Sequence, residues 1–311
     1  MFPECIPRTL PTPLKISLKG KNPYQLLILT DLHIPADMEL KERILRSPLL
    51  KDINHAILLG DNVACYGEEK EYLMLKEFVE NLPLPYTALN GNHEFMFRVH
   101  KFGSESYGRV WERNNAMERR RQLEKFYEFF RIEKPYWEEI ISPFSYLFFT
   151  IGNYKEEKIE VLPEGGEEFL REAIRMAPGE GIIRVIIFCH APLKGSEIEG
   201  FKYYDEKGDP FIYLEEETLK LIKKSPLKIY WISGHIHLHP EHPMAPLRRI
   251  GENLYQINSP PSWKWLRKKI EDVVPRRYEN FYSLIIRVEG ERIVFRIYDW
   301  RIEDFIWEQE V

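Results

Sequence analysis

The chain has 311 residues, 44% hydrophobic and 30% charged, which is enough apolar material for one large α/β domain or two ordinary ones. Its formal net charge of −5, from 44 Lys and Arg against 49 Asp and Glu, argues against the basic face of a general nucleic-acid binder. Apolar runs such as Val185 to Cys189 and Leu147 to Thr150 are far too short to span a bilayer, and three cysteines at no ligand spacing suggest neither a disulfide framework nor a zinc finger.

The proline-broken start, Met1 to Pro13, lacks an apolar signal region, so a cytoplasmic protein with reduced thiols is expected. Leu14 to Leu18 alternates as an edge strand would. After a turn at Gly20 to Pro23, the run Leu26 to Thr30 reads as a buried central strand stopping at Asp31 and His33. In an extended segment side chains at i and i+2 lie on one side, so these two are expected to reach one point. A helical pattern over 38 to 47 follows, then a second apolar run, His55 to Leu59, ending in Gly60-Asp61-Asn62. The pattern repeats with a helix over 68 to 81 and a strand, Tyr86 to Leu89, ending in Asn90-Gly91-Asn92-His93-Glu94. Strands joined by such crossovers lie parallel and bring their C-terminal ends to one sheet edge.

Residues 97 to 143 break this rhythm with charge and aromatics (Trp111, Arg119 to Arg121, Phe126, Tyr127, Phe129, Phe130, Trp137) and are expected to form an inserted, mostly helical cap. Sheet resumes at Ser145 to Gly152 and at Lys158 to Leu162, before a helix over 166 to 176. The apolar strand Ile182 to Cys189 ends at His190. A helix over 215 to 224 then leads to Lys228 to Ser233, which ends in Gly234-His235-Ile236-His237. Three further β-like runs, Asn253 to Asn258, Tyr282 to Val288 and Arg292 to Tyr298, close the chain, with Gly290 as a hairpin turn.

Strand ends thus deliver Asp31, His33, Asp61, Asn92, His93, His190, His235 and His237. Two carboxylates, one amide oxygen and four imidazoles can hold two divalent cations through one shared carboxylate, which leaves a fifth imidazole over. Mixed nitrogen and oxygen donors suit Mn, Fe or Zn better than Ca or Mg, and Mn or an Fe-containing pair is the expected choice. Glu94 is read either as a support for the site or as a helix cap, and Asn62 as a loop former. His55, His100, His239 and His242 are read as packing or surface residues, and Cys189 as alternating into the core. The stretch Ser259 to Lys269, with Trp263 and Trp265, should follow a strand beside the one carrying His235 and His237. Substrate contact is weighed there against simple surface cover, as it is for Arg119 to Arg121.

The ordered blocks Asp31-x-His33, Gly60-Asp61, Gly91-Asn92-His93-Glu94, His190 and Gly234-His235-x-His237 resemble the calcineurin-like metallophosphoesterase superfamily, over about residues 25 to 260. The resemblance implies one α/β domain over 1–311, a four-layer αββα sandwich of two mixed β-sheets flanked by helices, with a cap insertion at 97–143. It implies one cation on Asp31, His33 and His237, a second on Asn92, His190 and His235, Asp61 bridging both, and His93 as the free catalytic imidazole at the scissile phosphate. The implied activity is hydrolysis of phosphodiesters by a metal-bridging hydroxide. Phosphomonoesterase or nucleotidase activity is the alternative within the fold, and a non-catalytic metal-binding interaction scaffold the alternative outside it. The layout looks most like the bacterial cyclic-nucleotide phosphodiesterase type, although that group typically has Asp at the position of Glu94. The expected partner is a phosphate-ester substrate, nucleotides included, with no membrane and no strong nucleic-acid signal.

Overall fold

Tyr24–Leu29 (β1), His55–Leu59 (β2) and Tyr86–Leu89 (β3) are almost wholly buried apolar runs. With no polar face to turn to water, they form the parallel half of a sheet covered on both sides. The crossovers are Met38–Arg46 (α1) and Glu69–Glu80 (α2), which turn Leu40 and Ile44, and Tyr72, Leu75, Phe78 and Val79, onto that sheet. The computed structural model describes residues 23–64, 68–95, 97–98, 112–141, 145–150, 153–155, 158–195, 211–242, 245–263, 265–266, 276–277 and 281–311. The edge strand expected at Leu14 to Leu18 lies outside them.

A second sheet is built from Tyr136–Ile141 (β4), Ser145–Thr150 (β5), Arg184–Phe188 (β6), Lys228–Ser233 (β7), Leu247–Arg249 (β8) and Leu254–Asn258 (β9). Its order is β8-β9-β7-β6-β5-β4, parallel inside and antiparallel at both edges. Tyr282–Glu289 (β10), Arg292–Asp299 (β11) and Asp304–Glu310 (β12) complete the first sheet in the order β12-β11-β10-β1-β2-β3, with β10 antiparallel to β1. The two sheets pack face to face. Leu147, Phe149, Ile186, Phe188, Tyr230 and Ile232 of the second share one core with β1, β2 and β10, while their neighbours Phe148, Val185, Ile187 and Trp231 point away into another. That outer core is covered by Gly166–Met176 (α4) and Glu216–Lys224 (α5), in a helix–sheet–sheet–helix stack.

Of the segment 97–143, expected to be a mostly helical cap, the described residues include one helix and one strand of the second sheet. A helix over Ala116–Phe130 (α3) carries Phe126, Phe129 and Phe130 at helical spacing, an apolar stripe that must be buried. It packs beside the first sheet, where Phe129 meets Tyr72 and Phe130 meets Tyr86. β4, from the same segment, is sheet, with Trp137 stacked on Phe149 at 5.3 Å. Its polar-apolar mixture suits an edge strand. Residues 99–111 lie outside the described residues. Among the described residues no helix is long and apolar enough to cross a membrane.

Candidate metal centre

β1 stops at Leu29, and Asp31 and His33 both take left-handed backbone angles, with φ of 52° and 48°. The strand alternation expected to align them is therefore replaced by loop geometry. The Asp31 N–H donates to Gly60 O at 3.0 Å, His33 N–H to Asp61 O at 2.9 Å and Ile34 N–H to Asn62 O at 3.0 Å, so the loops after β1 and β2 run side by side. Five of the eight described non-glycine residues with positive φ are Asp31, His33, Asp61, His235 and His237. Such angles are costly for residues with a Cβ, and their concentration here marks backbone held for the site rather than for the sheets.

Small residues let the loops close in. A Cβ at Gly91 would overlap the Asp61 carboxylate and lie 2.7 Å from His190 Nε2, and one at Gly234 would overlap Thr30 Oγ1. Any side chain at either position must displace a site residue.

Two clusters result. Ligand-capable atoms of Asp31, His33, Asp61 and His237 all lie within 4.8 Å of one another, as do those of Asp61, His190 and His235, so Asp61 belongs to both. In the first, His237 Nε2 is 3.0 Å from Asp31 Oδ1 and 3.5 Å from His33 Nε2. In the second, His190 Nδ1–H donates to Leu59 O at 2.8 Å, which turns Nε2 to within 3.3 Å of Asp61 Oδ2. Asn92 is buried next to Gly91, and among the described residues its Oδ1 accepts no hydrogen bond and His33 Nδ1 is likewise unpartnered. A buried acceptor left so costs about 1–3 kcal/mol, and convergent imidazole lone pairs repel. Cations would relieve both, so the donor set fits two metal ions.

Burial disfavours charge throughout, but paired groups overcome it. Asp31 is held well below the usual carboxylate range because the imidazoles of His237 and His190 outweigh its burial. Asp61 is lowered in the same way, by His190 and His93. His190, between the two carboxylates, is pushed up to about 10 despite burial. Burial, reinforced by neighbouring imidazoles, lowers His33 and brings His235 down to about 3, so both are the neutral bases a metal requires.

His93 lies apart from both clusters. Its backbone N–H donates to Asp61 Oδ1 at 2.8 Å and its Nδ1–H to Ala64 O at 2.6 Å, leaving Nε2 3.8 Å from Asp61 Oδ2. The ring meets His33 edge-on, with 4.5 Å between centroids, and its side chain stays 14% exposed, enough to meet a substrate. Glu94 is wholly buried and caps no helix. Its carboxylate accepts the backbone N–H groups of Asp61 (3.1 Å), Asn62 (2.6 Å), Val63 (3.2 Å) and Gly91 (2.5 Å), fastening the Asp61 loop to the Asn92 loop. Burial and the Asp61 charge push it up to about 7. Glu94→Gln turns an amide NH₂ toward N–H donors, and a loss of about 3 kcal/mol is expected. A urea midpoint equal to wild type would refute that account.

Asn62 is a loop former as expected, its Nδ2 donating to Leu89 O at 2.8 Å. His55 is packed on Thr87, His239 on Tyr282, and Cys189 sits in the outer core. His100 lies outside the described residues. Trp263, weighed between substrate contact and surface cover, rests on site residues: its ring is 4.1 Å from that of His33 and 5.3 Å from that of His237. The expected pairing of its preceding strand with β7 placed it near, but nothing in its own type foretold these partners.

A family model described as calcineurin-like phosphoesterase matches residues 24–239. No curated protein matches the chain. Among solved structures, purple acid phosphatase PPD1 from yellow lupin (Lupinus luteus) seeds is similar at a TM-score of 0.62 and 12% identity, over 94% of this chain and 54% of that one. GAP50, the anchor in the inner membrane complex of Plasmodium, is similar at a TM-score of 0.56 and 11% identity, over 94% and 89%. PhoD is similar at 0.52 and 8%, over 94% and 72%. The chain spans about half the length of the lupin phosphatase, and identities this low speak to fold alone. The family model, by contrast, takes in every strand end from Asp31 to His237, and the chain belongs to the calcineurin-like phosphoesterase family.

Proposed function

We propose that this protein is a dinuclear metal-dependent hydrolase of phosphoric esters that prefers phosphodiesters. The observation that carries the reading is the pair of buried ligand clusters sharing Asp61. Asp31, His33 and His237 would hold one cation, Asn92, His190 and His235 the other, and Asp61 both. Manganese or iron would be the native ions, which supply an acidified water and neutralise charge growing on the phosphoryl oxygens. Asp61 also sets His93 through its backbone N–H. Because Ala64 O takes the Nδ1 proton, His93 must be doubly protonated to pass a proton from Nε2 to a leaving alkoxide. The insertion at 97–143 would act as a cap that limits substrate size; within it Asn114, just before α3, donates from Nδ2 to Phe95 O at 2.8 Å. A cytoplasmic location completes the reading.

A scaffold would gain little from keeping so many polar groups buried in strained loops, which favours an enzyme. Chelation should abolish hydrolysis of bis-p-nitrophenyl phosphate and Mn should restore it, with slower turnover of the monoester. Metal-replete protein inactive on both would end the enzyme reading, and a faster monoester would replace the diester preference.

A further inference from the structure

We propose that Trp263 is a positioning residue for one of the two cations, the one assigned to Asp31, His33 and His237, and not for the other. The inference rests on the dinuclear reading above and concerns a side chain outside its ligand set.

His33 and His237, two imidazoles that the indole contacts, belong to the same cluster. The indole lies tilted at 49° over His33 and edge-on, at 89°, to His237. His33 thus contacts a second ring as well, with His93 meeting it at 80°. Among the described residues no hydrogen bond fixes His33 from behind, since its Nδ1 has no partner there. Metal-bound imidazoles are normally oriented by a hydrogen bond from the second ring nitrogen, and at His190 the Leu59 carbonyl does that. For His33 the aromatic contacts take over the task. Ring pairs of this geometry contribute about 0.5–1.5 kcal/mol beyond burial, which is enough to hold one ring orientation.

The loop that carries Trp263 is built to keep still. Ser259 N–H donates to Ser233 O at 2.7 Å, at the end of β7, and Ser262 N–H donates to Thr30 O at 2.8 Å, just past β1. Between them run Pro260 and Pro261, both buried, whose fixed φ removes slack. Behind Ser262 a buried chain continues, with its Oγ 3.1 Å from Ser283 Oγ and Trp300 Nε1–H donating to Ser283 Oγ at 2.8 Å. The loop thus spans both sheets and sets the indole where Asp31 and His33 of one face His237 of the other.

The test is a cation titration of metal-free protein with Mn and with Co, followed by calorimetry and the Co visible spectrum. Wild type should bind two ions. Trp263→Leu should bind one as tightly as wild type and the other about 10–100-fold more weakly, the usual cost of losing such support, with the weakened ion giving the altered Co spectrum. Trp263→Phe should recover most of the loss, and thermal unfolding of the metal-free variants reports any general damage. Two ions at unchanged affinity in Trp263→Leu, or equal weakening of both, would overturn the inference while leaving the dinuclear reading intact. A wild type that binds fewer than two ions would instead sink that reading.

Discussion

Asp61→Ala is expected to emerge from purification without its metal pair and with no activity above background. Two doubly charged cations about 4 Å apart repel by roughly 17 kcal/mol at an effective dielectric of 20, and Asp61 is present in both clusters. Without it, each set loses an anionic ligand and the repulsion goes unscreened. Asp61→Asn is the sharper variant, because it keeps the shape and an oxygen able to accept the His93 N–H while removing the charge. It should likewise fall below one ion per chain by elemental analysis, with the circular dichroism of wild type. Retention of two ions in Asp61→Asn would show that the bridge has been assigned to the wrong residue.

His93→Ala should part metal from rate. The ring stands outside both clusters, so two ions should remain, while turnover of an alkyl ester drops by about 10² to 10⁴, the worth of a placed general acid. The drop should shrink for p-nitrophenolate esters, whose leaving anion needs little protonation. Elemental analysis with rates across a leaving-group series decides the matter. A metal-free His93→Ala protein would make His93 a ligand.

The strands that carry the site were readable because each is a short apolar run cut off by polar residues. β2, β3 and β7 have the bounds read from their apolar runs, His55–Leu59, Tyr86–Leu89 and Lys228–Ser233. What escaped has a common physical cause. β4, β8 and β12 are edge strands, and an edge strand such as Asp304–Glu310 alternates exposed and half-buried residues with no continuous apolar run. Within the site, residue type pointed to Asp31 and His33 but not to their φ angles, which arise from loops pairing across strands. Glu94 was ambiguous for the same reason. Its four partners are backbone N–H groups from two loops about thirty residues apart, and backbone donors leave no mark in a sequence.

Each cluster draws on both sheets. Asp31, His33, Asp61 and Asn92 follow β1, β2 and β3, whereas His190, His235 and His237 follow β6 and β7. The gap between these half-sets is therefore gauged by whatever fills the space between the sheets: Leu29, Leu147, Phe149, Phe188 and Tyr230 act as the spacer. Phe149 and Phe188 stack at 5.1 Å there, and interiors are packed too densely to absorb a missing ring without movement. A substitution such as Phe188→Leu would thus be felt as a change in bite, detuning ion selectivity at a distance while every ligand is still in place.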